Sequence, residues 1–323
     1  QGRPYLKAIR FHEVGGPEVL VLDDVPDPSP AEGEVLIRVA AAGVNPTDAG
    51  TRSGRQQIPL PGMLGRECAG VVEAVGAGVT GLAVGDRVMA RNTAYSYAEL
   101  MTSPAVHTFV VPDNLDLLNG AVVPVTFATA WDAVANQCRV QAGETVLVHG
   151  AAGGVGIALV QVAKHAGATV IGTASSAERL EWAKGCGLDH GVNYAEVDFA
   201  QAVRDLTDGK GVDVVIDGVG GDVLLKSLEC TAPHGRIGTY GSSAGRQVEL
   251  TLGALSRTRL SLIGTGSSGT TRADFEQMLG LVADGTFKTT VDRTFPLADA
   301  AAAHTYLASR QVKGKVALTM GEN

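Results

Sequence analysis

An apolar run, a glycine-rich turn and an amphipathic segment follow one another in ETVLVHGAAGGVGIALVQVAKHAGATVIGTASSAERL, residues 144–180. No other stretch of the chain constrains the fold as much. The spacing Ala151, Gly153, Gly156 is that of G-x-G-x-x-G with alanine in first place. Gly153 lets a backbone approach a pyrophosphate and Gly156 lets a helix pack close to its strand. The helix N-terminus adds N–H groups and positive dipole. A strand before the turn, and a helix leading to a second strand after it, form the context the motif requires. The stretch reads as a dinucleotide-binding βαβ unit, and the alternative is an ordinary turn between strand and helix.

The end of the second strand narrows the ligand. An NAD site usually places Asp or Glu there, about 20 residues after the turn, to accept from the ribose 2′-OH. Here the sequence is GTASS, Gly172 to Ser176. A carboxylate would repel a 2′-phosphate, whereas Ser175, Ser176 and Arg179 can donate to one. NADPH is the expected cofactor. Arg179 as a solvated charge on a helix face is the competing reading.

A chain of 323 residues exceeds the roughly 100 to 200 residues usual for one domain. Two domains are expected. The 42 glycines, in a chain that is 45% hydrophobic, suit tight turns between buried strands rather than disorder. Short β-rich runs, EVLIRVAAAGV, CAGVVEAVGAGV and GDRVMA, fill the first 120 residues. From 121 onward, wholly apolar strands alternate with helix-length segments, the pattern of a parallel sheet covered on both faces. After 262 no full βα repeat remains, and the tail is expected to return to the first domain. The division is therefore 1–120 with 262–323, and 121–261.

A net charge of −8 opposes nucleic acid and anionic lipid as main partners. No apolar run reaches 18 residues, and the opening QGRPYLKAIR lacks the apolar core of a signal peptide. A cytoplasmic protein is expected. Cys68, Cys138, Cys186 and Cys230 stand singly, as reduced core thiols do.

The motifs GGPEVL, AAGVNPTD, GRECAGVVEAVGAGV, GDRV, TFATAW, GAAGGVGIALVQVAKHAGATVIGTASS, DVVIDGVGG and GRIGTYGSSAG occur in this order almost end to end. Together they resemble the zinc-free quinone oxidoreductase, zeta-crystallin-like, branch of the medium-chain dehydrogenase/reductase superfamily. The resemblance implies an α/β protein: a GroES-like β-rich barrel domain, completed by the tail, and a Rossmann domain with a doubly wound parallel sheet. Substrate would enter between them. The resemblance places Asn45 and Thr129 near the nicotinamide and Gly153, Gly154 and Val155 at the pyrophosphate. Val219, Tyr240, Gly241 and Ser242 would form strand-end walls. Ser175, Arg179, Tyr194 and Arg310 would form the 2′-phosphate pocket.

Zinc relatives carry Cys, His and Cys at places that here hold Asn45, Arg66 and Val125, so no metal is expected. One departure concerns NPTDAGTRSG, where relatives commonly have tyrosine at the place of Gly50. Tyr95 or Tyr97 could substitute from another loop, or simply pack in the barrel. Without a metal, hydride delivery is easiest to an acceptor that spreads negative charge itself. That leaves a quinone reductase, or an enone or enoyl-thioester reductase; Asn45 and Thr129 would position the reactants and no proton donor is assigned. A non-catalytic NADPH-binding role, structural or RNA-binding as in crystallin relatives, is the reading from another class. The apolar RLSLIGTGSS, residues 259–268, would leave an unpaired sheet edge, and a homodimer is expected to cover it.

Overall fold

The computed structural model describes residues 5–91 and 93–321. The first four residues of the opening segment, residue 92 and residues 322–323 lie outside the described residues. By contact density the chain forms two compact units, one of residues 1–125, 282–284 and 289–323, the other of residues 126–281 and 285–288.

The first unit is a β structure built on alternation of buried and exposed side chains. Its strands are β1 (Tyr5–Phe11), β2 (Val21–Pro26), β3 (Glu34–Val44), β4 (Gly62–Met63), β5 (Glu67–Val75), β6 (Arg87–Arg91), β7 (Leu100–Pro104) and β8 (Thr108–Val110). Between β3 and β4 runs α1 (Pro46–Arg52), and after β8 come α2 (Leu117–Gly120) and α3 (Val123–Trp131), the last straddling the division. β3 is the organising strand, pairing antiparallel with β5 on one side. Ile9, Ile37, Val72, Val88 and Leu318 interlock in the core beneath it.

The second unit begins where the pattern becomes continuously apolar. Strand β9 (Thr145–Val148) leads to α4 (Gly154–His165), and β10 (Thr169–Ala174) leads to α5 (Ala177–Lys184). The alternation continues through β11 (His190–Asn193), α6 (Phe199–Leu206), β12 (Val212–Asp217), α7 (Gly221–Ser227), β13 (Thr231–Thr239), α8 (Leu252–Thr258) and β14 (Ser261–Gly264). All pairings are parallel, in the order β11-β10-β9-β12-β13-β14. That is the doubly wound Rossmann order, which puts the β9 turn at the switch point where such sheets bind ligands. Val146, Leu147 and Val148 are buried because helices cover both faces.

Helix α9 (Arg272–Ala283) leads back into the first unit, which closes with β15 (Val291–Pro296), α10 (Ala300–Ala308) and β16 (Lys315–Thr319). β16 pairs antiparallel with β3, Val316 opposite Val44. The tail thus completes the sheet begun by the N-terminal strands.

Candidate functional site

In the second unit the glycine turn opens a twelve-residue helix, α4, whose N-cap Gly153 has no side chain to satisfy the first N–H groups. Those groups are left for a ligand. A Cβ at Gly153 would meet only the Gly150 carbonyl oxygen, at 3.4 Å, so the outer side of the turn is open to a phosphate. Gly156 is different: a Cβ there would fall on that same carbonyl, and only glycine lets the helix seat on the turn. His149 braces the turn from below. Ser227 spends its proton on the Val223 carbonyl, 2.7 Å, so His149 Nε2 is the donor to Ser227 Oγ at 2.8 Å. His149 Nδ1 then accepts from Thr173 Oγ1, 3.1 Å, which in turn accepts from the Gly150 N–H, 3.3 Å. Burial lowers the His149 pKa from 6.5 to about 4, keeping the ring neutral.

The expected phosphate pocket lies at the ends of β10 and β11. Ala174 pairs with Asn193, so Ser175 and Tyr194 follow at neighbouring strand ends, and the Tyr194 N–H donates to the Ala174 carbonyl at 3.1 Å. Arg179 is one turn into α5, its N–H donating to the Ser176 hydroxyl oxygen, 3.3 Å. Ser176 is thus the N-cap of α5, with its hydroxyl proton still to give. Val219, Tyr240, Gly241 and Ser242 gather at the ends of β12 and β13. Asp217 organises this corner: its carboxylate accepts from Val219 N at 2.7 Å and Gly220 N at 3.0 Å, and its carbonyl from Tyr240 N at 3.0 Å. Thr129 is buried on α3, which runs into a wide helical turn, Asp132–Gln137. Asp132 accepts from the Gly266 N–H at 2.8 Å, and Thr270 donates to the Ala128 carbonyl at 2.8 Å, tying that helix to the loop after β14.

The first unit holds a buried polar cluster around Asn45. Lys315 Nζ donates to Asn45 Oδ1 at 2.6 Å, Glu67 Oε1 at 2.8 Å and the Val44 carbonyl at 3.1 Å. Asn45 Nδ2 donates to Glu67 Oε1 at 3.1 Å, and the Val125 N–H to Glu67 Oε2 at 2.7 Å. A second chain of hydrogen bonds meets it through Asp48, which accepts from the Asn45 N–H at 2.9 Å and from the Tyr97 hydroxyl at 3.1 Å. Arg52 Nη1 donates to His304 Nδ1, 3.1 Å, which leaves Nε2 to donate to the Tyr97 oxygen at 3.3 Å. Desolvation raises Asp48 from 3.8 to about 6, against the hydrogen bonds and the Lys315 charge. Burial, and then Arg52, lower His304 from 6.5 to about 3.

Residues 154–284 match the family of zinc-binding dehydrogenases and residues 31–113 the GroES-like domain of alcohol dehydrogenases. The chain is 38% identical to a quinone oxidoreductase of Pseudomonas aeruginosa, over 97% of this chain and 99% of that protein. It belongs to the medium-chain dehydrogenase/reductase superfamily, in the quinone oxidoreductase branch. A 2-haloacrylate reductase of a Burkholderia species is 40% identical, over 95% of this chain and 97% of its own length. The Escherichia coli quinone oxidoreductase, solved with NADPH, superposes with a TM-score of 0.92 at 33% identity, over 97% of this chain and 99% of that one. Membership carries the coarse chemistry: the protein is a nicotinamide-dependent oxidoreductase.

Within this superfamily the zinc implied by the matching description does not fit the residues present. Asn45 spends its carboxamide inside the cluster, Arg66 is a cation and Val125 has no donor side chain. Among the described residues no group of three or more His, Cys, Asp or Glu is placed to hold a metal. Tyr97 is wholly buried, with its hydroxyl engaged, and packs in the core rather than lining a pocket; Tyr95 is exposed. Arg310 follows α10 with φ at 60°, in the left-handed region that glycine favours at that position. Sequence reasoning missed Glu67, Lys315, Asp48, Asp217 and His149. Of these Lys315 carried a signal, the one charge of an otherwise uncharged strand, KVALT.

Proposed function

We propose that the protein is an NADPH-dependent quinone reductase that works without a metal. The donor set at positions 45, 66 and 125 carries this reading. It offers an amide, a guanidinium and an alkyl group, and the nearby carboxylate, Glu67, is already matched by an ammonium. Nothing there can polarise an alcohol or a simple carbonyl as a Lewis acid. The acceptor must then carry its own sink for charge, as a quinone does. Bound NADPH supplies the hydride. The open turn at Gly153, Gly154 and Val155 suits the pyrophosphate. Ser175, Arg179 and Tyr194 suit the 2′-phosphate, with Arg310 as a further candidate, because no acid at the end of β10 repels it. Val219, Tyr240, Gly241 and Ser242 wall the cofactor, and Asn45 and Thr129 are positioning groups.

A second reading, an activated-alkene reductase acting on an enone, acrylate or enoyl thioester, is favoured by the 40% identity to a 2-haloacrylate reductase. Both acceptors take hydride at carbon and gather charge on oxygen. NADPH oxidation across 1,4-benzoquinone, a naphthoquinone, methyl vinyl ketone, 2-chloroacrylate and crotonyl-CoA separates them. We expect the highest kcat/KM on the quinones; an alkene at the head of the series replaces the first reading by the second.

No helix among the described residues is long and apolar enough to cross a membrane. Four free thiols suit a reducing compartment such as the cytoplasm. We further propose a homodimer joined through the edge of the second unit's sheet. Strand β14 is the last in the sheet, and Leu262 on it is 45% exposed.

A further inference from the structure

We propose that Lys315 is a fixed internal cation and the positioning residue for Asn45. This rests on the reading that Asn45 is a positioning group of the reaction.

The cluster is saturated. An ammonium has three donors and no acceptor. Lys315 gives one each to the Asn45 carboxamide oxygen, the Glu67 carboxylate and the Val44 carbonyl. Because the ammonium can only donate, Asn45 Oδ1 must face it, and Nδ2 must face Glu67 and the Gly43 carbonyl, at 3.1 and 3.4 Å. The amide therefore has one orientation. Glu67 accepts on both oxygens, from Lys315 and Asn45 on one and from the Val125 N–H on the other. All three charged or amide side chains are buried.

Such burial is costly unless every group is paired, which is the case here. Close approach is built in as well. A Cβ on Gly43 would fall on Glu67 Oε1, so the carboxylate reaches Asn45 only because that strand residue is glycine. Asn45 and Val125, two of the three places that ligate zinc in relatives, both donate N–H groups to Glu67. The acceptors a divalent cation would need are thus already taken by the ammonium and by N–H groups.

The consequence for the reaction is geometric. Asn45 is the residue before α1, and its N–H is also held by Asp48. Losing the ammonium frees the amide to flip while leaving the backbone anchored. We infer a loss of turnover without a matching loss of cofactor binding.

The test compares E67Q with E67Q/K315M. Both lack the carboxylate charge; only the second lacks the ammonium, which in E67Q stays buried without its counter-charge. Turnover with 1,4-benzoquinone, NADPH dissociation constants and thermal midpoints are read for each. E67Q is the reference for the double variant, since the carboxamide oxygen it introduces can still accept from Lys315. The double variant should fold and bind NADPH like E67Q but lose about 10- to 100-fold in kcat, the scale set by a misplacement near 1 Å. Equal kcat in the two variants overturns the proposal. If the double variant does not fold, E67Q/K315R replaces it: the charge stays while the donors move, and an unchanged kcat overturns the proposal while a lowered one supports it. N45A tests the reading beneath it separately. Full turnover in N45A removes Asn45 from the reaction, whereas a loss in N45A with none in E67Q/K315M removes only Lys315.

Discussion

Arg179 carries the expectation at the scale of one residue. It rises from the first turn of α5, beside the strand-end residues Ser175 and Tyr194, where NAD-preferring sites place an acid. A charge-assisted hydrogen bond contributes roughly 1.5 to 3 kcal/mol, so one good contact gives on the order of 10- to 100-fold for NADPH over NADH. We expect R179A to weaken NADPH binding by that order and leave NADH nearly unchanged. Calorimetry in which both cofactors lose affinity equally would make Arg179 a packing residue. The absence of an acid at 172–176 is legible in the sequence because the motif has a fixed spacing. The Asn45 cluster is only half legible. Asn45 can be picked out, but its partners lie 22 and 270 residues away, and only the pairing of β16 and β5 with β3 brings them to it.

Elements are more legible than contacts. EVLIRVAAAGV reads as a strand and is β3, residue for residue, because alternation and bounding turns define a strand locally. The segment VLLKSLECTA has the length of a helix; α7 ends at Ser227, a tighter turn continues to Cys230, and Thr231 begins β13, since the chain must return to the sheet there. Strand β14 carries the element-scale expectation. It pairs with β13 on one side, and no strand among the described residues pairs on the other. Leu262 shares a small apolar pocket with Leu224, Leu228, Val248 and Leu255, and Leu252 on α8 is 79% exposed. A bare edge with apolar flanks is an association site unless it is blunted by charge. We expect L262D to turn a dimer into a monomer with the fold intact, since the residue contributes little to its own unit's core. Light scattering at the monomer mass for the unaltered protein across micromolar concentrations would refute the homodimer outright.

At the scale of the whole molecule, the two buried histidines should make the protein acid-labile. His149 and His304 ordinarily titrate near 6.5 and are held down to about 4 and about 3 in the fold. Below pH 6.5 the unfolded chain takes up protons that the folded one refuses, so stability falls as pH falls, with on the order of 3 to 5 kcal/mol at stake for each ring once its folded value is passed. Asp48 acts oppositely: folded, it keeps its proton up to about pH 6 rather than 3.8, so its contribution declines as pH rises through that window, by on the order of 3 kcal/mol. Burial raises Asp217 in the same sense, against the Val219 and Gly220 N–H bonds. Between pH 6 and 4 Asp48 largely offsets His304 in the first unit, whereas in the second the large His149 shift outweighs that of Asp217, so the slope there is toward instability in acid. The two rings belong to different units, His149 to the second and His304 to the first, and both tryptophans, Trp131 and Trp182, lie in the second. Tryptophan fluorescence during urea unfolding therefore follows the unit of His149. We expect its midpoint to fall steadily from pH 6.5 to 4.5, H149Q to flatten that dependence, and H304Q to leave it as it was. A midpoint that does not move with pH, or one flattened equally by both substitutions, would count against this assignment.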